Sequence, residues 1–176
     1  YYTRHPEMAE VRKIFDRVLE AAKGAAMGTG TRMEYEVIHG VFNLLPNEVL
    51  GRRMHANLEM VGGVSYTAEE EAFAKKIMES YPDKKVSVDI AQMIDPFDVV
   101  ERGGGGSTDV GDVSWVVPTA GMGAATWVPG TAPHSWQAVA AGGMSIGHKG
   151  MMVAAKTLAL TAMDLFTHPQ LCKQAE

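Results

Sequence analysis

Two short stretches hold side chains whose types and spacing could do chemistry. Pro133-His134-Ser135-Trp136 follows the apolar pair Trp127-Val128 and a Pro129-Gly130 turn, which predicts the His134 imidazole on a loop at a strand end. Such loops commonly carry catalytic or metal-binding groups. An ordinary hydrogen-bonded loop histidine is the plainer alternative. The second stretch is Gly103-Gly104-Gly105-Gly106-Ser107-Thr108-Asp109. Glycines let a backbone approach a ligand closely and turn N–H groups toward anions. The P-loop lysine is absent, however, and no GxGxxG strand-to-helix frame surrounds the run. A flexible connection therefore outweighs phosphate binding.

The remaining histidines say less. His148, near the start of a long helix, reads as a surface or capping residue, and His39, His55 and His168 have no partners at metal-ligand spacing. No HxH, HExxH, HxxxH or paired-cysteine arrangement occurs, so the chain cannot supply a full zinc site. A GxSxG nucleophile elbow is also missing. The 176 residues hold no complete catalytic apparatus of a recognisable kind.

The elements that must position these residues follow from hydrophobic periodicity. His5-Pro6-Glu7 is a helix start, with proline in the first turn and a carboxylate near the positive end of the dipole. Met8, Val11, Ile14, Phe15, Val18, Leu19, Ala22 and Ala26 then form a helical stripe that Gly28 and Gly30 stop. Met33, Tyr35 and Val37 alternate with Arg32, Glu34 and Glu36, predicting a strand over 31–42, and Tyr1 to Arg4 read as the end of another. Pro46 marks a hinge and opens a second helix carrying Val49, Leu50, Met54, Leu58 and Val61, ended by Gly62-Gly63. Thr67 and Glu70 have capping-box spacing and start a third, with Phe73 and Ile77, which Pro82 and Asp83 close. Val86, Val88 and Ile90 alternate before an irregular stretch to Arg102. Val113 to Val117 and Ala124 to Val128 read as short buried strands, and a long helix is predicted from Ser145 to Phe166.

Composition narrows the classes. The chain is 46% hydrophobic and 21% charged, an ordinary globular balance, with a formal net charge of -5 and no Lys/Arg-rich block. A nucleic-acid partner would leave a basic footprint, and none is present. No apolar stretch approaches the roughly 20 residues that cross a bilayer, so no membrane partner is expected. With Cys172 as the single cysteine an internal disulfide is impossible, and a reducing, cytoplasmic setting fits. The chain opens Tyr1-Tyr2-Thr3-Arg4 without an initiator methionine or a signal peptide. It reads as a piece of a longer protein.

Taken together, Gly-Gly-Ser-Thr-Asp (105–109), Pro-His-Ser (133–135) and a small-residue helix opening Ser-Ile-Gly (145–147) resemble the C-terminal part of the co-catalytic metal peptidases and amidohydrolases. That family includes carboxypeptidase G, the aminoacylases and the auxin-conjugate hydrolases. The order and spacing match over residues 100–166, and residues 1–50 resemble the last strand–helix–strand of the family's lid. The resemblance implies an α/β fold: part of a catalytic α/β domain with a mixed sheet (47–176), preceded by half of an α+β, ferredoxin-like lid and dimerisation domain (1–46). It implies hydrolysis of the amide bond of an N-acyl amino acid or aminobenzoyl-glutamate-like small molecule, with two divalent metal ions, zinc or manganese, in the whole protein.

By the same resemblance, His134 matches the late histidine that ligates one metal, and Arg4 a lid arginine that meets a substrate carboxylate. Asn47 falls near a lid-exit asparagine. Ser107, Thr108 and Asp109 match a substrate-binding loop beside the site, although many members have Gly-Ser-Glu-Asp there and this chain has Thr108 in place of the glutamate. The family's early His-x-Asp and its Glu-Glu pair have no counterpart in this chain. This piece alone is therefore expected to be inactive, with at most one metal ligand, and to partner the N-terminal remainder of its own protein or a homo-oligomer. The competing reading is a stand-alone, non-catalytic α/β binding or assembly module, whose helix stripe and strand over 31–42 would pair with another copy.

Overall fold

The computed structural model describes residues 1–81, 86–99 and 106–176. Gly103 to Gly105, Pro82 and Asp83 lie outside the described residues. The described chain is helical and contains no strand, in the order α1 (Met8–Thr29), α2 (Glu48–Val61), α3 (Ala68–Met78), a 3-10 turn (Val88–Gln92), α4 (Val110–Ser114), α5 (Trp136–Gly142), α6 (Ser145–Thr167) and α7 (Pro169–Ala175). This corrects the expected α/β class with its mixed sheet and its half of a ferredoxin-like unit. It divides into two compact units, Tyr1–Pro46 with Val100–Thr119, and Asn47–Val99 with Ala120–Glu176.

In the first unit, α1 follows the predicted stripe. Its apolar positions from Met8 to Ala26 are half-buried, and none is fully buried. Gly28 is absorbed into the helix. The end comes at Gly30, whose φ of 64° lets its N–H reach the Met27 carbonyl while Thr31 N–H returns to Ala26. The strands expected at Tyr1 to Arg4 and over 31–42 do not form. Alternation makes a segment competent for a ladder, but a ladder needs a neighbour, and none pairs with it among the described residues. Tyr35 instead meets Phe15 edge-on, at 6.3 Å between ring centroids.

Nor do Val113 to Val117 form a strand. Val110–Ser114 is a helical turn, and Val116 and Val117 both direct their N–H groups back to the Val113 carbonyl. A short apolar run satisfies either period, and here local bonding wins. This turn grips the chain at 42–45. Phe42 N–H donates to Asp112 (2.7 Å), Leu45 N–H to Ser114 Oγ (2.9 Å), and the Trp115 indole to the Asn43 carbonyl (2.8 Å). Gly111 sits against the Phe42 carbonyl oxygen, where any Cβ would collide.

The second unit is built around Ala74, Ile77, Val128, Ala141 and Ile146, ringed by Tyr66, Phe73, Tyr81 and Val88. Val128 is buried as expected, yet the segment 124–128 joins no ladder among the described residues. Gly150 of α6 has no side chain, so the Ala125 carbonyl lies directly against the helix. Val88 and Ile90 fall in the 3-10 turn, capped by Ser87, in place of an alternating strand. The predicted capping box is present: Glu70 N–H donates to Thr67 Oγ1, and Thr67 N–H donates to the Glu70 carboxylate. The long helix runs from Ser145 as expected, and α2 is joined to it by Arg53, whose guanidinium makes two 2.6 Å bonds to Asp164.

Candidate functional site

The first unit brings two predicted site residues together across 103 positions of sequence. Arg4 Nη1 donates to Ser107 Oγ at 3.0 Å. The guanidinium carbon also stands 5.5 Å from the centroid of the Tyr2 ring, within cation–π range. Arg4 is exposed, so this supported fork faces solvent. Thr108 turns its hydroxyl to the following turn, accepting Val110 N–H at 3.2 Å. Asp109 starts α4, its carboxylate exposed and making no capping bond. An arginine braced in this way is suited to a carboxylate or phosphate oxygen pair. The part played by Tyr2 has no mark in the local spacing of the sequence.

The second unit holds His134 and Asn47. His134 is exposed on the turn that precedes α5, at φ 59°, a left-handed conformation uncommon for a residue with a side chain. Ser135 next to it caps α5 by accepting Ala138 N–H. Pro133, His134, Trp127, Trp136 and Val139 line an open hollow of about 510 Å³. Asn47 caps α2, its Oδ1 accepting Leu50 N–H at 3.0 Å, and its Nδ2 donates to the Ala175 carbonyl at 2.8 Å. Both ends of that amide are committed to holding helices.

A metal centre needs several convergent ligands. Among the described residues no group of three or more His, Cys, Asp or Glu side chains could hold an ion. His134 offers one imidazole, and one imidazole does not by itself fit a metal.

One strongly perturbed acid, Glu70, belongs to the predicted capping box, whose spacing does not mark the lysine that perturbs it. Glu70 is buried, and the Lys149 ammonium at 2.6 Å, with Ser145 and the Thr67 N–H, holds its carboxyl down at about 2. This ion pair ties the start of α3 to α6 and is structural.

Comparison with known proteins agrees with the motifs. Over 100% of its length the chain is 34% identical to one of the subunits of the p-aminobenzoyl-glutamate hydrolase of Escherichia coli (strain K12). The chain is kin to the C-terminal part of the peptidase and amidohydrolase family. It is also 27% identical, over 97% of its length, to the Xaa-Arg dipeptidases of Mus musculus and Homo sapiens. It spans 41% of the bacterial hydrolase chain and 33% of each dipeptidase. No protein-family signature matches the chain, and no solved structure does. The kinship with a hydrolase fits the runs Ser-Thr-Asp-Val-Gly-Asp-Val-Ser-Trp and Pro-His-Ser-Trp-Gln, which carry the resemblance in the sequence.

Proposed function

We propose that this chain is part of a metal-dependent amidohydrolase or peptidase that cleaves the amide bond of an N-acyl amino acid or aminobenzoyl-glutamate-like molecule. The single observation that carries the reading is the 34% identity to an aminobenzoyl-glutamate hydrolase chain across the whole of this one. Residues 1–46 belong to its lid and dimerisation domain, and residues 47–176 to the C-terminal part of its catalytic domain. Arg4 receives a carboxylate of the substrate, with Ser107, Thr108 and Asp109 on the adjoining loop. Asn47 lies where the lid ends.

His134 supplies one ligand to a centre of two divalent ions, zinc or manganese, whose other ligands come from the rest of the protein. With one ligand to offer, the isolated chain is inactive. It works joined to its N-terminal remainder, within a homo-oligomer. A cytoplasmic setting suits the lone, exposed Cys172, and no described helix is long and apolar enough to cross a membrane.

Arg4→Ala in the full-length protein tests this. A charge-assisted contact to a carboxylate contributes roughly 1.5–3 kcal/mol, so KM for a carboxylate-bearing substrate is expected to rise about ten- to a hundredfold with kcat largely kept. An unchanged KM would make Arg4 a structural residue.

A further inference from the structure

We propose that Ser107 is a positioning residue: it holds the Arg4 guanidinium in its working orientation and does not itself touch substrate. This rests on the reading of Arg4 as the carboxylate-binding group. An exposed arginine samples many rotamers, and ordering that side chain on binding weakens affinity. Its planar fork gains from pre-organisation when something fixes the plane. Two contacts do so here. Ser107 Oγ accepts from Nη1 at 3.0 Å, and the Tyr2 ring lies 5.5 Å from the guanidinium carbon. The Ser107 bond uses Nη1, and it leaves the side edge formed by Nε and Nη2 able to meet a carboxylate with two parallel bonds.

A brace is useful only if its base is rigid, and the base of Ser107 is. Its neighbour Thr108 closes a turn onto Val110 and Gly111 through its hydroxyl and its carbonyl. The α4 turn that follows is pinned to residues 42–45 by Asp112, Ser114 and Trp115, and Gly111 permits that approach by lacking a Cβ. Five bonds thus hold the segment that presents one hydroxyl to Arg4. A residue that merely lined a substrate pocket would not require its hydroxyl to be spent on a cation.

A kinetic double-mutant cycle in the full-length protein decides it. Ser107→Ala alone is expected to raise KM for a carboxylate-bearing substrate about three- to tenfold, the loss of one hydrogen bond, with kcat unchanged. Ser107→Thr, which keeps the hydroxyl, should restore KM. In an Arg4→Ala background Ser107→Ala should cost nothing further, because the group it orients is gone. The methyl ester of the same substrate should not distinguish Ser107→Ala from the parent. A further rise in KM in the Arg4→Ala background would overturn the proposal in favour of direct contact between Ser107 and substrate. An unchanged KM for Ser107→Ala beside a raised KM for Arg4→Ala would overturn it while leaving the role of Arg4 intact. If Arg4→Ala leaves KM unaltered, the underlying reading fails and takes this one with it.

Discussion

His134 occupies a left-handed backbone conformation on an exposed turn, and a side chain so placed is presented outward while Ser135 and Trp136 begin α5 behind it. Such conformations cost about 1–2 kcal/mol per residue and persist where surrounding structure holds them. If the imidazole is a metal ligand, His134→Ala in the full-length protein should lose one equivalent of a two-metal centre. Metal analysis that finds both ions retained would remove the assignment. Tyr66 gives a second test at this scale. Its hydroxyl is buried with no hydrogen-bond partner among the described residues, and burial pushes its ionisation up to about 12. An unpaired buried hydroxyl is a net cost, so Tyr66→Phe should stabilise the protein by about 1 kcal/mol in a denaturant melt. A drop in stability would show that the hydroxyl has a partner after all.

The helices of the second unit are tied by two buried or half-buried carboxylates, and their chemistry sets a dependence on acid. Glu70 links α3 to α6 through Lys149, and Asp164 links α6 to α2 through Arg53 and Asn57. Both are held at about 2, below their ordinary values of 4.5 and 3.8, chiefly by the bonds to Lys149 and Arg53. Because the folded values are depressed, this stabilisation is present in full above pH 5 and is lost as pH falls from about 4.5 toward 2. At about 1.4 kcal/mol per pH unit, the loss for Glu70 is at most about 3 kcal/mol. Melting temperature should therefore fall over that range. Glu70→Gln should lower the plateau and flatten the fall, whereas curves that stay parallel would exclude Glu70 as the source. The capping-box spacing of Thr67 and Glu70 was legible in the sequence. The lysine that turns Glu70 into an inter-helix link is 79 positions away, and no local pattern announces it.

For the molecule as a whole, the unburied apolar surface is the main physical fact. α1 carries a full amphipathic stripe and buries none of it completely, while Ile38 and Phe166 are 85% and 88% exposed. Exposed apolar side chains in this number favour association. The purified 176-residue chain is expected to self-associate at micromolar concentration. Sedimentation velocity would test it, and a well-folded monomer with a cooperative melt would contradict it and favour a self-sufficient module.

Helices, caps and kinship were legible in the sequence by itself. The stripe from Met8 to Ala26, the Thr67–Glu70 box and the helix from Ser145 depend on hydrogen bonds between near neighbours, and a period of 3.6 records them directly. The motifs around Ser107 and His134 carried the family resemblance without any geometry. The expected strands do not form among the described residues because alternation states only a capacity to pair, and pairing belongs to a neighbour that no window of sequence contains. The union of Arg4 with Ser107, and the grip of Asp112 and Ser114 on residues 42–45, join positions about 70 to 100 apart. Only the tertiary structure decides such contacts, because they depend on where the intervening chain folds.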